Sequence, residues 1–421
     1  MPEADDAPVI VSNAPGSFAR SVLAERHPAL IQQVRDAFPW SPERHRALDA
    51  LLISCTEGVI EPLGPQAHDR ERWDEWGGEY FGRSWFDVPF LWSESYFYRR
   101  LLDATGYFAP GPWQGVDPFG PFKQAELRGS LVDDELAALD ALARRPVQER
   151  AAAYLRASLW GNRADLGFAV GSPDGARLAD GSGDSGDASE GGSAGEDPPP
   201  LVADDSDALW SLLPAGSSPG TARTVHLIAD NSGRELIPDL VLIDHFLTTG
   251  RADDVVLHVK PYPYYVSDAT MADVVDCARR LVQAAGAARE AGKRLWAAMG
   301  DGRLAVRAHG FYRAPLPYSE MPADLRREFA GAALTIVKGD LNYRRLVGDR
   351  LWAPTTSFAE RTAHFPGPVA ALRTLKSDVI VGLHPRTVAQ LEDAGASGGV
   401  GDGANQAWRT SGTHALVQVR P

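Results

Sequence analysis

The chain has 421 residues, enough for two domains or for one large α/β domain with an appendage. Its 42 basic and 56 acidic residues give a formal net charge of −14, and because so acidic a chain repels polyphosphate backbones, we expect no nucleic-acid partner. Only two cysteines are present, Cys55 and Cys277, which excludes a disulfide scaffold and a cysteine-rich zinc site and fits a reducing cytoplasm.

The N-terminal part of the chain is predicted to be mostly helical. Apolar residues recur at three- and four-residue spacing in LIQQVRDAF (30–38), RHRALDALLISC (44–55) and DDELAALDALARR (133–145). The aromatic residues that crowd the segment from Trp73 to Trp113 are expected in the core. The acidic start lacks the apolar segment of a signal peptide, and no run of about 18 apolar residues predicts a membrane span. We therefore expect a soluble, cytoplasmic protein without a membrane partner.

Residues 171–200 differ sharply in composition from the rest of the chain. They are nearly all Gly, Ser, Asp, Glu, Ala and Pro, and they cannot bury enough apolar surface to offset the entropy lost on ordering. The composition predicts a disordered acidic loop, with a simple linker role favoured. The predicted organisation is a helical domain at 1–168, the acidic loop at 169–204 and an α/β domain at 205–421.

From about residue 207, short apolar runs alternate with helical stretches. Five runs are predicted as buried strands: TVHLIAD (224–230), DVVLHVK (254–260), RLWAAMG (294–300), ALTIVKGD (333–340) and SDVIVGL (377–383). The helices between them are predicted at ELIPDLVLIDHFLTT (235–249), MADVVDCARRLVQAAGAAREAG (271–292) and DLRREFAGA (324–332). This alternation predicts a parallel sheet covered on both faces, and ligands of such sheets bind beyond the carboxyl ends of the strands.

The first strand ends at Asp230 and Asn231. A carboxylate beside a carboxamide supplies two hard oxygen ligands, which suit Mg²⁺ or Mn²⁺, although an Asx turn before a helix would explain the pair equally well. Ser232 and Glu235 form a capping-box pattern, so Glu235 is either a capping partner or a substrate-binding residue. Pro238 then requires the helix to start later or to bend.

The second strand is followed by Asp268, just before a helix. An N-cap explains this aspartate well. Alternatively, it is a third oxygen ligand from the neighbouring strand-end loop, which leaves coordination positions for water and for a phosphate oxygen, as Mg²⁺ prefers.

The last two segments supply cations, one at a strand end and the other just before a predicted strand. Lys338 and Gly339 are followed by a predicted helix start at Asp340, Leu341 and Asn342, and a lysine with backbone N–H groups at a helix start forms an anion site. Arg373 and Lys376 lie three residues apart and would share a face if that segment is helical. A glycine turn and a solvated basic face are the plain alternatives. Taken together, oxygen ligands and cations at one sheet edge suit metal-assisted phosphoryl chemistry.

These segments resemble the damage-control phosphatase family, formerly a domain of unknown function 89. The closest likeness is to its subfamily III with the RTxK motif, to which protein-glutamate methyltransferase activity has also been attributed. The residues that carry the resemblance are ADNSGRELIPDLVLIDHFL (229–247), YYVSDAT (264–270), VKGDLNYRRLVGD (337–349), RTLK (373–376), SWFDVPFLWSESYFYRRLL (84–102) and SLWGNRADL (158–166).

The resemblance implies an N-terminal α-helical domain packed on a three-layer α/β/α domain with a parallel, Rossmann-like sheet. It implies a divalent metal (Mg²⁺, Mn²⁺, Co²⁺ or Ni²⁺) held by Asp230, Asn231 and Asp268. Substrate contacts are implied at residues 338–342 and at Lys376, with Arg373 in support. The implied partner is a small phosphorylated metabolite, including hexose phosphates such as fructose 1-phosphate and fructose 6-phosphate. Asn162 and Asp165 are further candidates, although a helix-terminating turn explains them too.

The expected reaction is attack on the phosphate ester by a water that the metal activates, with Asp230 as the main ligand. Asp230 could instead accept the phosphoryl group, but the D-x-D pattern of such enzymes is absent. Asp340 is either a general base or a substrate ligand. One alternative function is that of an S-adenosylmethionine-dependent protein carboxyl methyltransferase. The G-x-G loop expected of such a cofactor site is absent from this sequence, and methyl transfer, unlike phosphate release, would persist in EDTA. The other is a non-catalytic sugar-phosphate binding protein, which turnover of a phosphosugar panel would exclude.

Overall fold

The computed structural model describes residues 7–161, 201–216, 222–398 and 404–421. The predicted disordered segment at 171–200, together with Asn162 and Asp165, lies outside the described residues. So does the predicted domain boundary at residue 168, and the division into domains stays a prediction.

The N-terminal part is helical, as predicted, and the three predicted segments fall in α2, α3 and α7. The helices are α1 (Phe18–Ser21), α2 (His27–Ala37), α3 (Pro42–Thr56), α4 (Arg70–Gly77), α5 (Phe90–Thr105), α6 (Gly120–Leu127), α7 (Ser130–Ala143) and α8 (Val147–Gly161). A π-helical segment, Val22–Arg26, joins α1 to α2. The predicted aromatic core is confirmed, because Trp73, Trp85 and Tyr96 are buried together with apolar side chains of α2, α3 and α5.

Strands and helices alternate in the rest of the chain. The strands are β1 (Ala203–Asp204), β2 (Thr224–Ile228), β3 (Asp254–Val259), β4 (Leu304–Ala308), β5 (Leu334–Lys338), β6 (Val369–Thr374) and β7 (Ala415–Arg420). The helices are α9 (Ser206–Leu212), α10 (Gly233–Thr248), α11 (Met271–Gln283), α12 (Gly286–Asp301), α13 (Ala323–Ala330), α14 (Gly339–Val347), α15 (Phe358–Arg361) and α16 (Pro385–Gly398).

Within the described residues the strands form one sheet of order β1-β7-β6-β5-β2-β3-β4. All neighbouring pairs are parallel except β6 and β7. The chain leaves β2 towards β3 and leaves β5 towards β6, in opposite directions across the sheet. The gap between the carboxyl ends of β2 and β5 is therefore the topological switch point, where open α/β sheets bind their ligands.

Helices cover both faces of this sheet, which confirms the predicted three-layer α/β class. Val225 and Leu227 of β2 face a core built with α7, α8 and α10–α12. Ile228 faces the opposite core, which contains side chains of α13 and α14. Alternate residues of a strand point to opposite faces, and here both faces are apolar, as expected of a sheet buried on both sides.

Two of the predicted strands are wrong. RLWAAMG (294–300) forms the last turns of α12, and the strand is the following LAVRA segment of β4, after Gly302 ends the helix with φ 85°. A short apolar run alone does not distinguish a helix from a strand, and alanine favours the helix. SDVIVGL (377–383) is buried but unpaired in the sheet: Gln418 Nε2 donates to the Val381 carbonyl, and Val381 N–H donates to Tyr343 Oη.

Helix boundaries also differ from expectation at two places. The predicted helix over 271–292 is two helices, α11 and α12, separated by a turn at Gly286, whose φ is 54°. Helix α10 begins at Gly233 and accommodates Pro238 without a later start. None of the helices in the described part of the chain is long and apolar enough to cross a membrane.

Candidate functional site

Asp230 and Asn231 lie immediately beyond the end of β2, at the switch point. The Asn231 amide donates to Glu235 Oε2 at 2.8 Å and to Asp230 Oδ2 at 3.2 Å, while its carbonyl oxygen accepts from Ser267 Oγ at 2.7 Å. Ser232 is the N-cap residue of α10, but its side chain makes no capping hydrogen bond. Glu235 therefore orients Asn231 instead of completing the predicted capping box.

The loop after β3 is bonded to this strand end along its backbone. Asn231 and Asp268 form an antiparallel bridge, Ser232 N–H donates to the Ser267 carbonyl at 2.7 Å, and Ala269 N–H donates to the Asp230 carbonyl at 2.9 Å. The N-cap of α11 is Thr270, in a capping box with Asp273, so the N-cap interpretation of Asp268 is wrong. The structure thus brings Asp230, Asn231 and Asp268 together.

Two lysines contact Asp268. Lys123 of α6, which is buried, donates to the Asp268 carbonyl at 2.8 Å and forms ion pairs with Asp117 and Asp273 at 3.0 and 3.1 Å. Lys260 Nζ lies 3.9 Å from Asp268 Oδ2. The helical N-terminal part therefore fixes the position of a predicted metal ligand.

Gly339 lets the backbone at the start of α14 lie directly against Asp230. It adopts φ +81°, and a Cβ built there would lie 2.6 Å from Asp230 Cβ and closer still to the carboxylate. Such separations are not found between real side chains, so the Asp230 carboxylate sits directly on the backbone at the start of α14.

Lys338, at the end of β5, does not line the pocket. Its ammonium group is fully buried, 2.8 Å from Asp239 Oδ1 and 3.4 Å from Glu235 Oε1, and it also donates to the Ser158 carbonyl. Asn342 is buried as well and bonds the carbonyls of Ala229 and Lys338. Lys338 and Asn342 were predicted to contact the substrate phosphate. The structure instead pairs them with buried groups that support the strand ends.

Arg373 lies in β6, and it also supports the site from outside the pocket. It is fully buried, and its Nε and Nη2 atoms lie 2.8 and 2.7 Å from Asp340 Oδ1. Ser377 Oγ donates to the same oxygen at 3.1 Å. The segment is a strand and not a helix, so the condition for Arg373 and Lys376 to share a helix face is not met; Lys376 follows the strand and lines the pocket.

The pocket at the switch point has a volume of about 90 Å³, room for several water molecules. Six of the predicted residues line it: Asp230, Asn231, Asp268, Asp340, Leu341 and Lys376. The remaining lining residues come from the helical part and the loop after β3: Phe18, Val22, Arg26, Leu30, Glu94, Tyr98, Tyr265, Val266, Ser267 and, from α14, Arg344. Val22 and Arg26 belong to the π-helical segment, a conformation common at functional sites.

Glu94 is the most informative of the residues that sequence reasoning missed. It accepts hydrogen bonds from Arg344 Nη1 at 2.9 Å and from Tyr265 Oη at 3.2 Å. Burial raises the pKa of the Glu94 carboxyl, and the Arg344 guanidinium opposes this only in part. The available signal was a single carboxylate within the aromatic segment FLWSESYF, which we assigned wholly to the core.

Acidic and basic side chains line the pocket together: the carboxyl groups of Asp230, Asp268, Asp340 and Glu94, and the basic groups of Arg26, Arg344 and Lys376. Asp230 and Asp268, with the Asn231 carbonyl, present the hard oxygen atoms that Mg²⁺ and Mn²⁺ prefer. The donor set therefore fits the divalent ion that the sequence predicts.

A second group of potential ligands lies elsewhere. Among the described residues, one set of three His, Cys, Asp or Glu side chains has its ligand atoms within 4.8 Å of one another, namely His226, His258 and Glu328. None of the three lines the pocket at the switch point. The group of His226, His258 and Glu328 and the group of Asp230, Asn231 and Asp268 are therefore separate candidates for metal binding.

The fold and the pocket together define an α/β protein with a polar site at its sheet switch point. The family model described as "Damage-control phosphatase ARMT1-like domain" matches residues 22–391, and this chain belongs to that family. The predicted family and the enzyme class that accompanies it, a phosphatase, are thereby confirmed.

Curated relatives match almost end to end. Three of them carry the name "Damage-control phosphatase ARMT1": proteins of Danio rerio and Mus musculus, each 29% identical, and of Homo sapiens, 28% identical. The matches cover 96% of this chain and 94 to 96% of the relatives. A crystal structure of a DUF89 family protein from Pyrococcus horikoshii aligns with a TM-score of 0.41 and 15% identity, over 88% of this chain and 93% of that one. That likeness is too remote to inform the site.

Proposed function

We propose that this protein hydrolyses phosphate monoesters of small metabolites in a metal-dependent reaction, as part of metabolite damage control. The proposed substrates are hexose phosphates such as fructose 1-phosphate and fructose 6-phosphate, and the proposed ions are Mg²⁺, Mn²⁺, Co²⁺ or Ni²⁺. The observation that carries the proposal is the meeting of Asp230, Asn231 and Asp268 in one pocket with Lys376, at the sheet switch point.

Asp230, Asn231 and Asp268 would hold the ion. When bound, a divalent ion supplies a Lewis acid that polarises a phosphoryl oxygen and lowers the pKa of water. The chain supports these ligands from behind: Glu235 orients Asn231, Lys123 holds the Asp268 carbonyl, and Gly339 leaves room for Asp230.

The phosphate group would bind between Lys376 and the start of α14. Backbone N–H groups at a helix start attract anions, and Lys376 adds a full charge. Asp340 lines this region, but its Oδ1 already accepts from Arg373 and Ser377. We therefore assign Asp340 to positioning the phosphate-binding loop and not to proton abstraction.

Glu94 is the proposed proton donor to the leaving oxygen. Its raised pKa favours the protonated form that a general acid needs, and it lies in the same pocket as the metal ligands. Tyr98 and Tyr265 stack beside it, with ring centroids 4.5 Å apart, and offer an aromatic surface to a sugar. These groups would orient the alcohol part of the ester.

The test is a panel of phosphate esters assayed for inorganic phosphate with each of the four ions and with EDTA. We expect release from hexose phosphates that EDTA abolishes and that re-added metal restores. Asp230→Asn keeps the size of the side chain and should lose activity by about 10³-fold or more, while its circular dichroism and melting temperature match those of the wild type. Full activity in EDTA, or an active Asp230→Asn protein, would refute the assignment.

A further inference from the structure

Two histidines meet inside the protein, away from the pocket at the switch point. His226 of β2 and His258 of β3 lie on the sheet face that α13 covers, and both are buried. Their rings are stacked 5.1 Å apart, and His226 Nδ1 lies 2.8 Å from His258 Nε2. Glu328 of α13 completes the group, with Oε1 4.0 Å from His226 Nδ1.

The remaining contacts of these side chains resemble the support of a metal ligand. His258 Nδ1 lies 2.8 Å from Tyr312 Oη, and metal-bound imidazoles usually have their second nitrogen held in this way. Arg307 Nη1 donates to Glu328 Oε1 at 2.5 Å and holds the carboxylate near the histidines. Glu328 and Arg307 are partly exposed, so an ion can reach the group from solvent.

The protonation state also suits metal binding. Both rings are buried, and burial disfavours the charged imidazolium form that cannot bind a metal. With the proton of His258 on Nδ1, shared with Tyr312, and the proton of His226 on Nε2, both facing nitrogens present lone pairs. Two neutral imidazoles and a carboxylate are a common zinc-ligand set.

A simple hydrogen-bonded pair is the competing explanation for the short separation of the nitrogen atoms. A tetrahedral ion with bonds of about 2.0–2.1 Å requires them about 3.3 Å apart, so the rings must separate by roughly half an ångström. Rotation of the two rings within a group that opens to solvent at Glu328 can supply so small a change. The two explanations differ in one measurable property, which is stoichiometric metal binding.

We propose that His226, His258 and Glu328 form a binding site for a transition-metal ion, separate from the Asp230 site. Because imidazole ligands favour Zn²⁺, Co²⁺ and Ni²⁺ over Mg²⁺, the two sites differ in selectivity. The ion would join α13 to β2 and β3 on one face of the sheet. It would stabilise the folded state by mass action, as any ligand of the native state does.

The test uses the full chain carrying Asp230→Asn, stripped of metal and then titrated with Zn²⁺ against a chromophoric chelator in excess Mg²⁺. This background weakens the other site, so the result does not depend on the proposed phosphatase activity. We expect one tight equivalent of Zn²⁺, a tetrahedral visible spectrum when Co²⁺ replaces it, and a raised melting temperature. Adding His226→Gln should abolish all three, whereas adding His245→Gln, at another buried histidine, should not.

A partly exposed ligand provides a variant that does not disturb the core. Glu328→Gln should weaken Zn²⁺ binding by at least about tenfold, and Glu320→Gln, at an exposed glutamate of the preceding loop, should leave it unchanged. Absence of a tight equivalent in the Asp230→Asn protein would overturn the proposal. So would an equivalent that survives both His226→Gln and Glu328→Gln.

Discussion

Replacing Gly339 with alanine should separate the geometry of the site from the stability of the fold. Gly339 joins β5 to α14 with φ +81°, a conformation that costs a residue with a Cβ roughly 1–2 kcal/mol. The added methyl group would also lie 2.6 Å from Asp230 Cβ. The substitution therefore carries one conformational penalty and one steric penalty, and only the second acts on the site.

The steric penalty can be worked from the distances. Ordinary contact begins near 3.4 Å, so the Asp230 side chain must move by about 0.8 Å (3.4 − 2.6), and its carboxylate by more. A displacement of about 1 Å at a reacting centre costs about 10²-fold in rate, or about 2.7 kcal/mol of transition-state stabilisation. Metal affinity should fall together with the rate, because the displaced group is the proposed main ligand of the metal.

Gly302 provides the matched control. It has a nearly identical φ of +85°, at the end of α12, and a Cβ built there meets nothing within 4 Å. Gly302→Ala should therefore show the conformational penalty alone, and Gly339→Ala should lose at least as much stability, measured by thermal unfolding of the metal-free proteins. Only Gly339→Ala should lose phosphate release and require more metal for half-maximal rate. Equal activities of the two variants would show that Asp230 does not act from the position described here.

Three further substitutions test the surrounding groups. Glu94→Gln should lower kcat by about 10²-fold or more. In the wild type, kcat/KM should fall as pH rises through the raised pKa of Glu94, and a pH–rate profile of the variant should lack this fall. Lys338→Met should destabilise the fold by about 3–5 kcal/mol in urea, because it leaves Asp239 buried without its cation. Lys123→Met should weaken metal binding by about tenfold, measured by titration, because the Asp268 carbonyl loses its donor.

The pH dependence of the Lys338 variant has a definite sign. Burial raises the pKa of Asp239 to about 6, above its usual value of 3.8, so the native state binds more protons than the unfolded state between these values. Stability from this group therefore falls as pH rises through that interval. Without Lys338 the pKa rises further, and the deficit should be smaller near pH 5 than near pH 8. Lys293→Met, at an exposed lysine, should show neither the loss nor the pH dependence.

The sequence was sufficient for the features that depend on local pattern. Alternating apolar runs and helices define a layered α/β fold, and a parallel sheet places its strand ends at one edge, so Asp230 and Asp268 could be assigned to a common site. Gly339 was predicted as part of an anion site between a strand and a helix start, a local pattern that the sequence shows directly.

Local pattern was insufficient where the roles of cations had to be assigned. Lys338 and Arg373 look like phosphate ligands in the sequence, yet one is buried against Asp239 and the other against Asp340. Whether a charged side chain faces a pocket or a buried partner depends on residues about 30 to 100 positions away, which only the packed chain brings into contact.

The helical part of the site was decided by tertiary structure alone. Glu94 and Arg26 lie far from β2 in the sequence, and their helices carry no motif that specifies the sheet edge they contact. Only the packing of those helices on the loop after β3 places them in the pocket. The sequence by itself determined which strand ends carry the proposed oxygen ligands, because strand direction fixes where the carboxyl ends meet. The tertiary structure decided which charged side chains face these strand ends, because the choice depends on how the separate layers of the fold pack together.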